Sequence, residues 1–393
     1  MNLLRSLTRR KLRTALTVIG IAVGIWALVV MAALATKLSA IVESSSTYFR
    51  DKVVVTDAAG TPFSTVGALT PLTIDVVRQI EKVPGVAVAV PRVMLPMNPD
   101  DPGNAFQLPA YIVGYTEGAD RGYETFPMKV AKGRATGPGD EGQQVVFLGS
   151  DLARQFDKRP GDAFEIRGIE FTVVGVGEPR LMTFDTSAVI PLTEAQAMLY
   201  REAPIVVGRE LDPGQLTSAV IVYPDNGMDT GLLAQRIEKN IPKVRAGTST
   251  DFDNQFGSTL AIFNTIILSV ALISVVVGGL SVINTMTINV TERTREIGIK
   301  RAIGASRVRI MRELLSEAAF IGLIGGLVGL ASGTAFIYGA NQVGETSGTV
   351  LFLLTPKIAT LAVAFSTALG TVAGALPAWN ASGLDPIEAL RYE

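Results

Sequence analysis

The chain has 393 residues, of which 48% are hydrophobic and 18% are charged. It contains no histidine and no cysteine, which excludes Ser-His-Asp and Cys-His catalysis, the commonest metal ligand and disulfide bonds. The formal net charge of −1 conceals an asymmetry: residues 38–255 carry 20 basic and 28 acidic residues, net −8, whereas the rest carries 15 and 8, net +7. The acidic central region argues against a nucleic-acid partner, because it would repel phosphates.

Four stretches without a charged residue are long enough to cross a bilayer, since a spanning helix needs roughly 20 mostly apolar residues. They occupy residues 14–36, 254–291, 318–344 and 358–384. We therefore predict a polytopic membrane protein with four transmembrane helices. A cleaved signal peptide is the alternative for the first stretch. Its apolar core, residues 15–35, is longer than the roughly 7–15 residues usual in a signal peptide, which favours an uncut anchor.

Lysine and arginine cluster at positions 5–13, before the first predicted span, and at 293–312, between the second and third. The positive-inside rule then places both segments and the C-terminus in the cytoplasm, and residues 38–255 outside. The predicted order is a cytoplasmic N-terminal segment (1–14), helix 15–37, an extracytoplasmic domain (38–255), a stalk and helix (256–290), a cytoplasmic coupling segment (291–317), helix 318–340, a short outer loop (341–357), helix 358–379 and a cytoplasmic tail (380–393).

The predicted extracytoplasmic domain alternates strand and helix patterns. "KVVVTDA" (52–58) and "VAVAVPRV" (86–93) predict strands on either side of a helix over 70–85, for which Thr73 is the expected N-cap. The same order recurs over 218–248, in "SAVIVYP", "DTGLLAQRIEKNIP" and "KVRAGT". We therefore predict a duplicated βαβ unit, and chance similarity of two amphipathic helices is the alternative.

Between the two units, residues 128–200 have the pattern of a β-rich insert, with short β-branched runs separated by turn signals. Gly175 and Gly177 follow a β-branched run without a G-x-G-x-x-G pattern, so we expect a tight turn there and no nucleotide-binding loop. The predicted fold class is an α-helical membrane protein with four transmembrane helices and an α+β extracytoplasmic domain between helices 1 and 2.

Residues 291–317 interrupt the apolar pattern with a dense run of charges. "TERTREIGIKRAIG" (291–304) predicts a short amphipathic helix, and "SRVRIMRELLSEA" (306–318) predicts a second that runs into the third span. A juxtamembrane helix lying on anionic lipid is one interpretation. We favour docking on a protein. A lipid surface has no need of Glu292 and Glu296, whereas charges of both signs among apolar side chains suit a protein groove.

Motifs at both ends of the membrane region carry a family resemblance. "ERTREIGIKRAIGAS", followed by "ELLSEA" and combined with the closing "ASGLDPIEALRYE", resembles the FtsX-like permeases of the macrolide-exporter (MacB-type) ABC transporters. "VVFLGSDLA", "IRGIEFTVVGVGE" and "IPLTEAQAML" are similar to the outer domain of that family. The layout of one span, a large outer domain and three further spans is also similar.

The resemblance implies a homodimer of four-span subunits in the inner (cytoplasmic) membrane, in which residues 291–304 dock as a coupling helix on a cytoplasmic ABC ATPase. Ile297 and Ile303 would be its apolar contacts, and Gly298 and Gly304 would allow close backbone approach and end the helix. The charged side chains expected to set its register are Glu292, Arg293, Arg295, Glu296, Lys300 and Arg301.

The sequence contains no G-x-x-x-x-G-K-[ST] motif. We therefore expect no catalytic residue, metal or cofactor in this chain, with ATP and Mg²⁺ bound by the partner ATPase. The expected function is a permease subunit that couples ATP hydrolysis to movement of its extracytoplasmic domain and so exports substrate. Membrane lipids and a periplasmic adaptor protein are further expected partners. A signalling scaffold that activates a cell-wall hydrolase is the alternative. The lack of histidine and of a catalytic cluster disfavours a membrane enzyme.

Overall fold

The computed structural model describes residues 11–59, 62–63, 71–98, 110–116, 118–125, 129–202, 212–346 and 350–391. Outside these ranges lie the basic residues at positions 5–10, residues 347–349 of the predicted short outer loop and residues 392–393 of the predicted tail. The chain divides into two compact units. The helical unit comprises Met1–Lys37, Leu260–Asn341 and Phe352–Glu393, and the sheet unit comprises Leu38–Thr259 and Gln342–Leu351.

Ten α-helices lie in the described ranges. They are α1 (Lys11–Phe49), α2 (Ile74–Ile80), α3 (Ser150–Gln155), α4 (Leu192–Glu202), α5 (Thr230–Asn240), α6 (Ser249–Glu292), α7 (Thr294–Ala302), α8 (Arg307–Thr346), α9 (Pro356–Ser382) and α10 (Pro386–Arg391). By length and composition α1, α6, α8 and α9 can cross a membrane, which confirms the predicted number of spans. All four helices are longer than predicted, because polar residues at their ends continue the helices.

Twelve strands lie in the described part of the sheet unit. They are β1 (Val53–Asp57), β2 (Leu72–Thr73), β3 (Val86–Pro96), β4 (Tyr111–Gly114), β5 (Val130–Gly133), β6 (Val145–Leu148), β7 (Ala163–Ile166), β8 (Ile169–Gly177), β9 (Ser187–Ile190), β10 (Leu216–Thr217), β11 (Ala219–Pro224) and β12 (Val244–Gly247). The large sheet has the order β12-β1-β11-β3-β4-β9-β6-β8-β5, with β7 also paired to β8. Strands β10 and β2 form a separate two-stranded sheet.

The predicted strand–helix–strand segments interlock in this sheet. Strand β1 lies between β12 and β11, and β11 lies between β1 and β3, with antiparallel pairing throughout. Each segment therefore places a strand of the other between its own two strands, which is the split βαβ pattern. Apolar side chains of α2 and α5, including Ile80 and Ile237, pack on one face of these strands. Whether the two segments arose by duplication stays a prediction.

Strand β3 joins the two halves of the large sheet. Its residues from Val86 to Arg92 pair with β11, and those from Val93 to Pro96 pair with β4. The strands of the predicted β-rich insert continue from β4 through a parallel pairing with β9. The insert is therefore part of the same hydrogen-bonded sheet as the split βαβ half, with its own apolar core that includes Phe164 and Phe171.

The helix predicted over 70–85 is shorter in the structure. It begins at Ile74, because Leu72 and Thr73 pair with strand β10. Thr73 does occupy the N-cap position, but its side chain makes no capping hydrogen bond. Pairing with a strand more than a hundred residues away has therefore overridden the local helical pattern.

The tight turn predicted at Gly175 and Gly177 is wrong, because both residues lie within strand β8. A β-carbon on Gly175 would overlap the carbonyl oxygen of Arg134, which lies next to β5. Close approach of a neighbouring backbone is a common reason for glycine inside a strand. Glycine at this position therefore reflects a close contact between strands and not a turn.

Small residues bring the long helices of the helical unit together. A β-carbon on Gly326 of α8 would overlap the hydroxyl of Ser366 on α9, and one on Gly329 would lie 2.7 Å from the carbonyl oxygen of Ala22 on α1. The four-residue spacing of glycines in α8 therefore serves packing within the chain, as such rows commonly do between membrane helices. Branched side chains such as Ile25 and Ile321 fill the remaining core.

Candidate functional site

The candidate coupling helix follows α6 almost without interruption. Helix α6 ends at the exposed Glu292, Arg293 has a non-helical backbone (φ −110°, ψ 13°), and α7 begins at Thr294. The Thr294 hydroxyl donates to the carbonyl oxygens of Val290 (3.1 Å) and Thr291 (2.9 Å). A single residue therefore separates a membrane-spanning helix from α7.

The C-terminal end of α7 is closed by a Schellman motif around Gly304. This glycine has φ +98°, and its N–H donates to the carbonyl of Arg301 at 3.1 Å. The N–H of Ala305 donates to the carbonyl of Lys300 at 2.9 Å. A positive φ at this position suits glycine, which has no β-carbon to strain. The prediction that Gly304 ends the helix is confirmed.

One face of α7 is covered by its own chain. Gly298 is buried, and a β-carbon on it would lie 2.7 Å from the β-carbon of Ala389 on α10. Arg301 donates from Nη1 to the carbonyl oxygen of Ser382 at the end of α9 (2.8 Å). Gly298 does allow close approach, but its neighbour is the closing sequence motif of the same chain, and close approach to an ATPase stays a prediction. The motif is recognisable in the sequence, but its contact with α7 is not.

The same face contains Ile297, which is only 5% exposed and belongs to the apolar core of the helical unit. The expectation that Ile297 offers an apolar contact to another protein is therefore corrected. Its helical spacing from the buried Thr294 and Gly298 turns it inward. Helical periodicity predicts which residues share a face, but it does not reveal what covers that face.

Two ion pairs connect α7 to α8, and two more lie within the α7 segment. Arg293 pairs with Glu296 and with the buried Glu317 of α8, at 3.2 Å in each case. Lys300 pairs with Glu296 (3.3 Å) and with Glu313 of α8 (2.8 Å). Hydrogen bonding from Arg293, assisted by the charges of Arg293 and Lys300, lowers the pKa of Glu296. Glu296 thus has partners within the chain, and its presence does not by itself require a second protein.

The opposite face of α7 is open to solvent. Ile303 is 81% exposed and Ile299 is 47% exposed, and the charged Arg295 and Glu296 are exposed on the same side of the helix. Large apolar side chains so exposed beside paired charges form a surface that protein contact would bury. The surface formed by Arg295, Glu296, Ile299 and Ile303 is called the α7 surface below. Its role in ATPase coupling stays a prediction.

The described residues contain no group of three or more His, Cys, Asp or Glu side chains placed to hold a metal ion. The carboxylates around α7 are instead paired with Arg293 and Lys300.

Two family models match the sequence, and the second includes the α7 region. Residues 14–240 match the MacB-like periplasmic core domain, and residues 268–386 match the FtsX-like permease C-terminal region. The chain belongs to the MacB-like ABC transporter permease family. The second match contains α7, the two helices that follow it and the start of α10. The resemblance seen in the sequence motifs is thereby confirmed.

Named relatives of this MacB-like permease include ATP-binding/permease proteins and a protein named as a permease alone. It is 31% identical over 398 residues to the macrolide export ATP-binding/permease protein MacB of Neisseria gonorrhoeae, covering 98% of this chain and 59% of that one. It is 36% identical over 239 residues to MacB of Psychrobacter arcticus, covering 58% and 34%. It is 32% identical over 280 residues to the ABC transporter permease YknZ of Bacillus subtilis, covering 68% and 66%. The chain thus spans from about one third to about two thirds of the length of these relatives.

Solved structures of two related outer domains are matched at low similarity. The extracellular domain of YknZ gives a TM-score of 0.34 at 12% identity, covering 50% of this chain and all of that one. The periplasmic region of MacB from Actinobacillus actinomycetemcomitans gives 0.35 at 13% identity, covering 56% and 98%. Membership of the MacB-like permease family rests on the sequence matches. Together with the four apolar helices, it makes the chain a multi-pass membrane protein of this permease family.

Proposed function

We propose that this MacB-like permease couples ATP hydrolysis by a separate ABC ATPase subunit to movement of its sheet unit, which lies outside the cytoplasm and extrudes substrate. The observation that carries the proposal is the α7 surface. Ile299 and Ile303 are exposed on a helix that begins one residue after a membrane-spanning helix. The names of the fused relatives, which join an ATP-binding part to a permease, support the choice of an ATPase as partner.

The contacts of α7 explain how it would pass on a push from that partner. Arg293 and Lys300 connect it to α8 through Glu317 and Glu313. Gly298 and Arg301 connect it to the C-terminal segment. These links hold α7 against its own chain, so displacement of α7 would carry α6 and α8 with it. Such transmission is the mechanical coupling that we propose.

Several parts of the proposal concern assembly. The N-terminus, the α7 segment and the C-terminus are cytoplasmic, and ATP and Mg²⁺ bind to the partner. The permease forms a homodimer in contact with membrane lipids, and it acts with a periplasmic adaptor protein. The apolar side chains that α6 exposes along its span, such as Leu268 and Leu272, support burial against lipid or a second copy. The signalling-scaffold alternative is not favoured, because the relatives' names describe export.

Co-purification with ABC ATPase subunits co-expressed from the same organism tests the docking claim. Burial of an isoleucine-sized side chain contributes about 1.5–3 kcal/mol, so Ile303→Asp and Ile299→Asp should weaken binding roughly ten- to a hundredfold. The matched control is Leu232→Asp, which introduces the same charge at an exposed apolar position in the sheet unit. Full ATPase binding by both isoleucine variants, or none by the unaltered permease, would contradict the proposal.

A second control separates docking from local folding. Because Ile297 is buried in the helical unit, Ile297→Ala should reduce stability by about 2–5 kcal/mol. Any loss of ATPase binding in this variant should therefore be accompanied by a lower unfolding temperature. The Ile303→Asp variant should lose ATPase binding while its unfolding temperature stays unchanged.

A further inference from the structure

The first turns of α8 expose basic side chains that lie outside the α7 surface. Arg309 and Arg312 are both exposed, and Val308 beside them is 51% exposed. Residues three and four apart in a helix are neighbours, so these three side chains share one side of α8. The opposite side, with Ile310 and Leu314, is buried in the core of the helical unit. The surface formed by Val308, Arg309 and Arg312 is called the α8 basic face below.

The acidic side chains of the predicted coupling segment do not neutralise this face. The segment contains seven basic and four acidic residues, net +3. Arg293 and Lys300 hold three of the four carboxylates in ion pairs, namely those of Glu296, Glu313 and Glu317. The fourth, Glu292, is exposed at the end of α6. Within the described ranges, the guanidinium groups of Arg309 and Arg312 have no ion-pair or hydrogen-bond partner.

Helix α8 continues from the α8 basic face directly into its apolar span. The helix runs unbroken from Arg307 to Thr346, and its uncharged stretch begins at Ala318. At about 1.5 Å per residue, Arg312 lies about 9 Å and Arg309 about 14 Å before that stretch. The headgroup layer is roughly 5–8 Å deep on each side of a bilayer, and a long arginine side chain extends toward it. Both guanidinium groups can therefore reach the headgroups.

The packing of α9 on α8 shows which residues of the two helices are level. A β-carbon on Gly370 would lie 2.6 Å from the carbonyl oxygen of Ala318, and one on Gly374 would overlap the β-carbon of Ala318. One turn further along α8, a β-carbon on Gly322 would overlap the carbonyl oxygen of Ser366. The helices are therefore antiparallel, and Ala318 is level with the middle of the Gly370–Gly374 turn.

Trp379 provides a second indication of where the headgroups lie. It is 70% exposed and ends a stripe of exposed apolar side chains on α9 that includes Val372 (74%) and Leu376 (62%). Tryptophan is enriched at membrane–water interfaces, so the end of this stripe indicates the headgroup level. Val372 is level with Ala318. Trp379, seven residues later, is therefore level with the α8 basic face.

We propose that the α8 basic face binds the phosphate of an anionic phospholipid, whose acyl chains lie along the apolar part of α8. Arg309 and Arg312 donate to the phosphate oxygens, which the planar guanidinium group suits well. A zwitterionic lipid carries its own cation into the neighbourhood of the two arginines, so an anionic lipid is favoured. The site therefore selects among lipids, which burial of apolar spans alone does not, and it is independent of ATPase docking on α7.

Fluorescence quenching by brominated lipids tests the proposal on the full-length chain in vesicles. The reporter is Leu323→Trp, at a partly exposed position three helical turns beyond Arg312 on the same side of α8. Trp26→Phe and Trp379→Phe remove the two native tryptophans. The vesicles contain phosphatidylcholine and increasing fractions of dibrominated phosphatidylglycerol or dibrominated phosphatidylcholine.

We expect the quenching curves to show at least a fivefold preference for phosphatidylglycerol, because one arginine near an anionic surface contributes roughly a fivefold gain in binding. Equal quenching by the two brominated lipids would overturn the proposal. In the same background, Arg309→Gln/Arg312→Gln should bring the preference close to one. An unchanged preference in this variant would show that the lipid binds elsewhere.

The matched control is Arg295→Gln/Lys357→Gln, which also removes two exposed basic side chains but leaves the α8 basic face intact. It should keep the full preference for phosphatidylglycerol. An equal loss in the control would show that net charge attracts the lipid and would contradict a site on α8. An unchanged unfolding temperature identifies the variants that fold normally.

Co-purification separates lipid binding from ATPase docking. The Arg309→Gln/Arg312→Gln variant should retain the ABC ATPase, whereas Ile303→Asp should lose the ATPase and keep the preference for phosphatidylglycerol. If the arginine variant instead lost the ATPase and kept the lipid preference, the α8 basic face would belong to the docking surface and the lipid assignment would be wrong.

Discussion

Gly298 and Ala389 are packed so closely that a β-carbon on Gly298 would lie 2.7 Å from that of Ala389. The two residues lie ninety-one positions apart, on α7 and on the short C-terminal helix α10. Real β-carbons essentially never approach a neighbour so closely, so any larger side chain at 298 must move α10. The C-terminal helix therefore takes part in fixing the face that α7 presents to solvent.

The first prediction follows from this contact. Glycine inside a helix is normally about 1 kcal/mol less favourable than alanine, so Gly→Ala usually stabilises. Gly298→Ala should instead loosen α10 and raise amide hydrogen exchange of residues 387–391 roughly tenfold, since overpacking typically costs about 1–3 kcal/mol. The control is Gly339→Ala in α8, where an added β-carbon meets no atom within 4 Å. Unchanged exchange in Gly298→Ala would show that α10 adapts without cost.

The second prediction concerns pH and the buried Lys52. Burial lowers its pKa from 10.5 to about 8, against the opposing attraction of Glu124. Between about pH 8 and 10.5 the unfolded chain thus holds more protons at Lys52 than the folded chain, so folding stability should rise with pH in this window. Below about pH 8 the lysine stays charged in both states, and its unfavourable burial is felt in full. Arg92, Glu124 and Asp51 are the charged groups that act on it.

The measurement compares the unaltered chain with the double variant Lys52→Met/Glu124→Gln, which removes the titrating pair. Hydrogen exchange, corrected for intrinsic exchange rates, gives the opening free energies of β1 and β11. The opening free energy of the unaltered chain should rise relative to that of the double variant from pH 8 to 10. We expect a change of about 1–3 kcal/mol, as one pKa unit corresponds to about 1.4 kcal/mol. A difference between the two chains that is flat with pH would show that Lys52 has an ordinary pKa.

The third prediction concerns packing of the spans. A side chain at Gly326 would overlap Ser366 on α9, so Gly326→Leu should separate α8 from α9. We expect a marked fall in the unfolding temperature of the purified chain in detergent, by several degrees or more. Gly339→Leu adds the same side chain to the same helix at an open position and should have little effect. Equal losses in both variants would mean that leucine disturbs α8 itself rather than the contact.

The fourth prediction tests topology in whole cells. The chain has no cysteine, so single-cysteine variants label without background. Ala163→Cys in β7 and Ser306→Cys before α8 are both at exposed positions. With an impermeant thiol reagent only Ala163→Cys should react, and Ser306→Cys should react after the cells are opened. Labelling of Ser306→Cys in intact cells would show that the orientation is the reverse of the one proposed.

Local patterns in the sequence were enough to find most elements of this fold. The β-branched runs at β1, β3 and β11 are strands, and the apolar stretches are helices long enough to span a membrane. Contacts between distant parts of the chain account for what was missed. Leu72 and Thr73 are not helical, because they pair with residues 216–217. Gly175 lies in a strand, where the absence of a side chain allows Arg134 to pass close to it.

The candidate site shows the same limit. The exposure of Ile303 and the role of Gly304 agree with the local sequence. Ile297 was predicted to contact another protein, but it is buried in the core of the helical unit. The residues that cover it come from other helices, which a periodic sequence pattern does not identify. The burial of Arg92 was not anticipated either, because an arginine in a strand pattern gives no sign that it will be enclosed.

The sharing of β3 between two ladders has a consequence for biosynthesis. Its pairing with β11 must wait for residues 219–224, whereas β3 itself is made far earlier in translation. Joining ends so far apart in an unstructured chain carries an entropic penalty that grows with the length between them. If the insert folds first, it shortens that length and also covers the β4 side of β3. Until β11 arrives, the other half of β3 is an open edge that can pair with foreign strands, so the newborn sheet unit is most prone to aggregation in that interval.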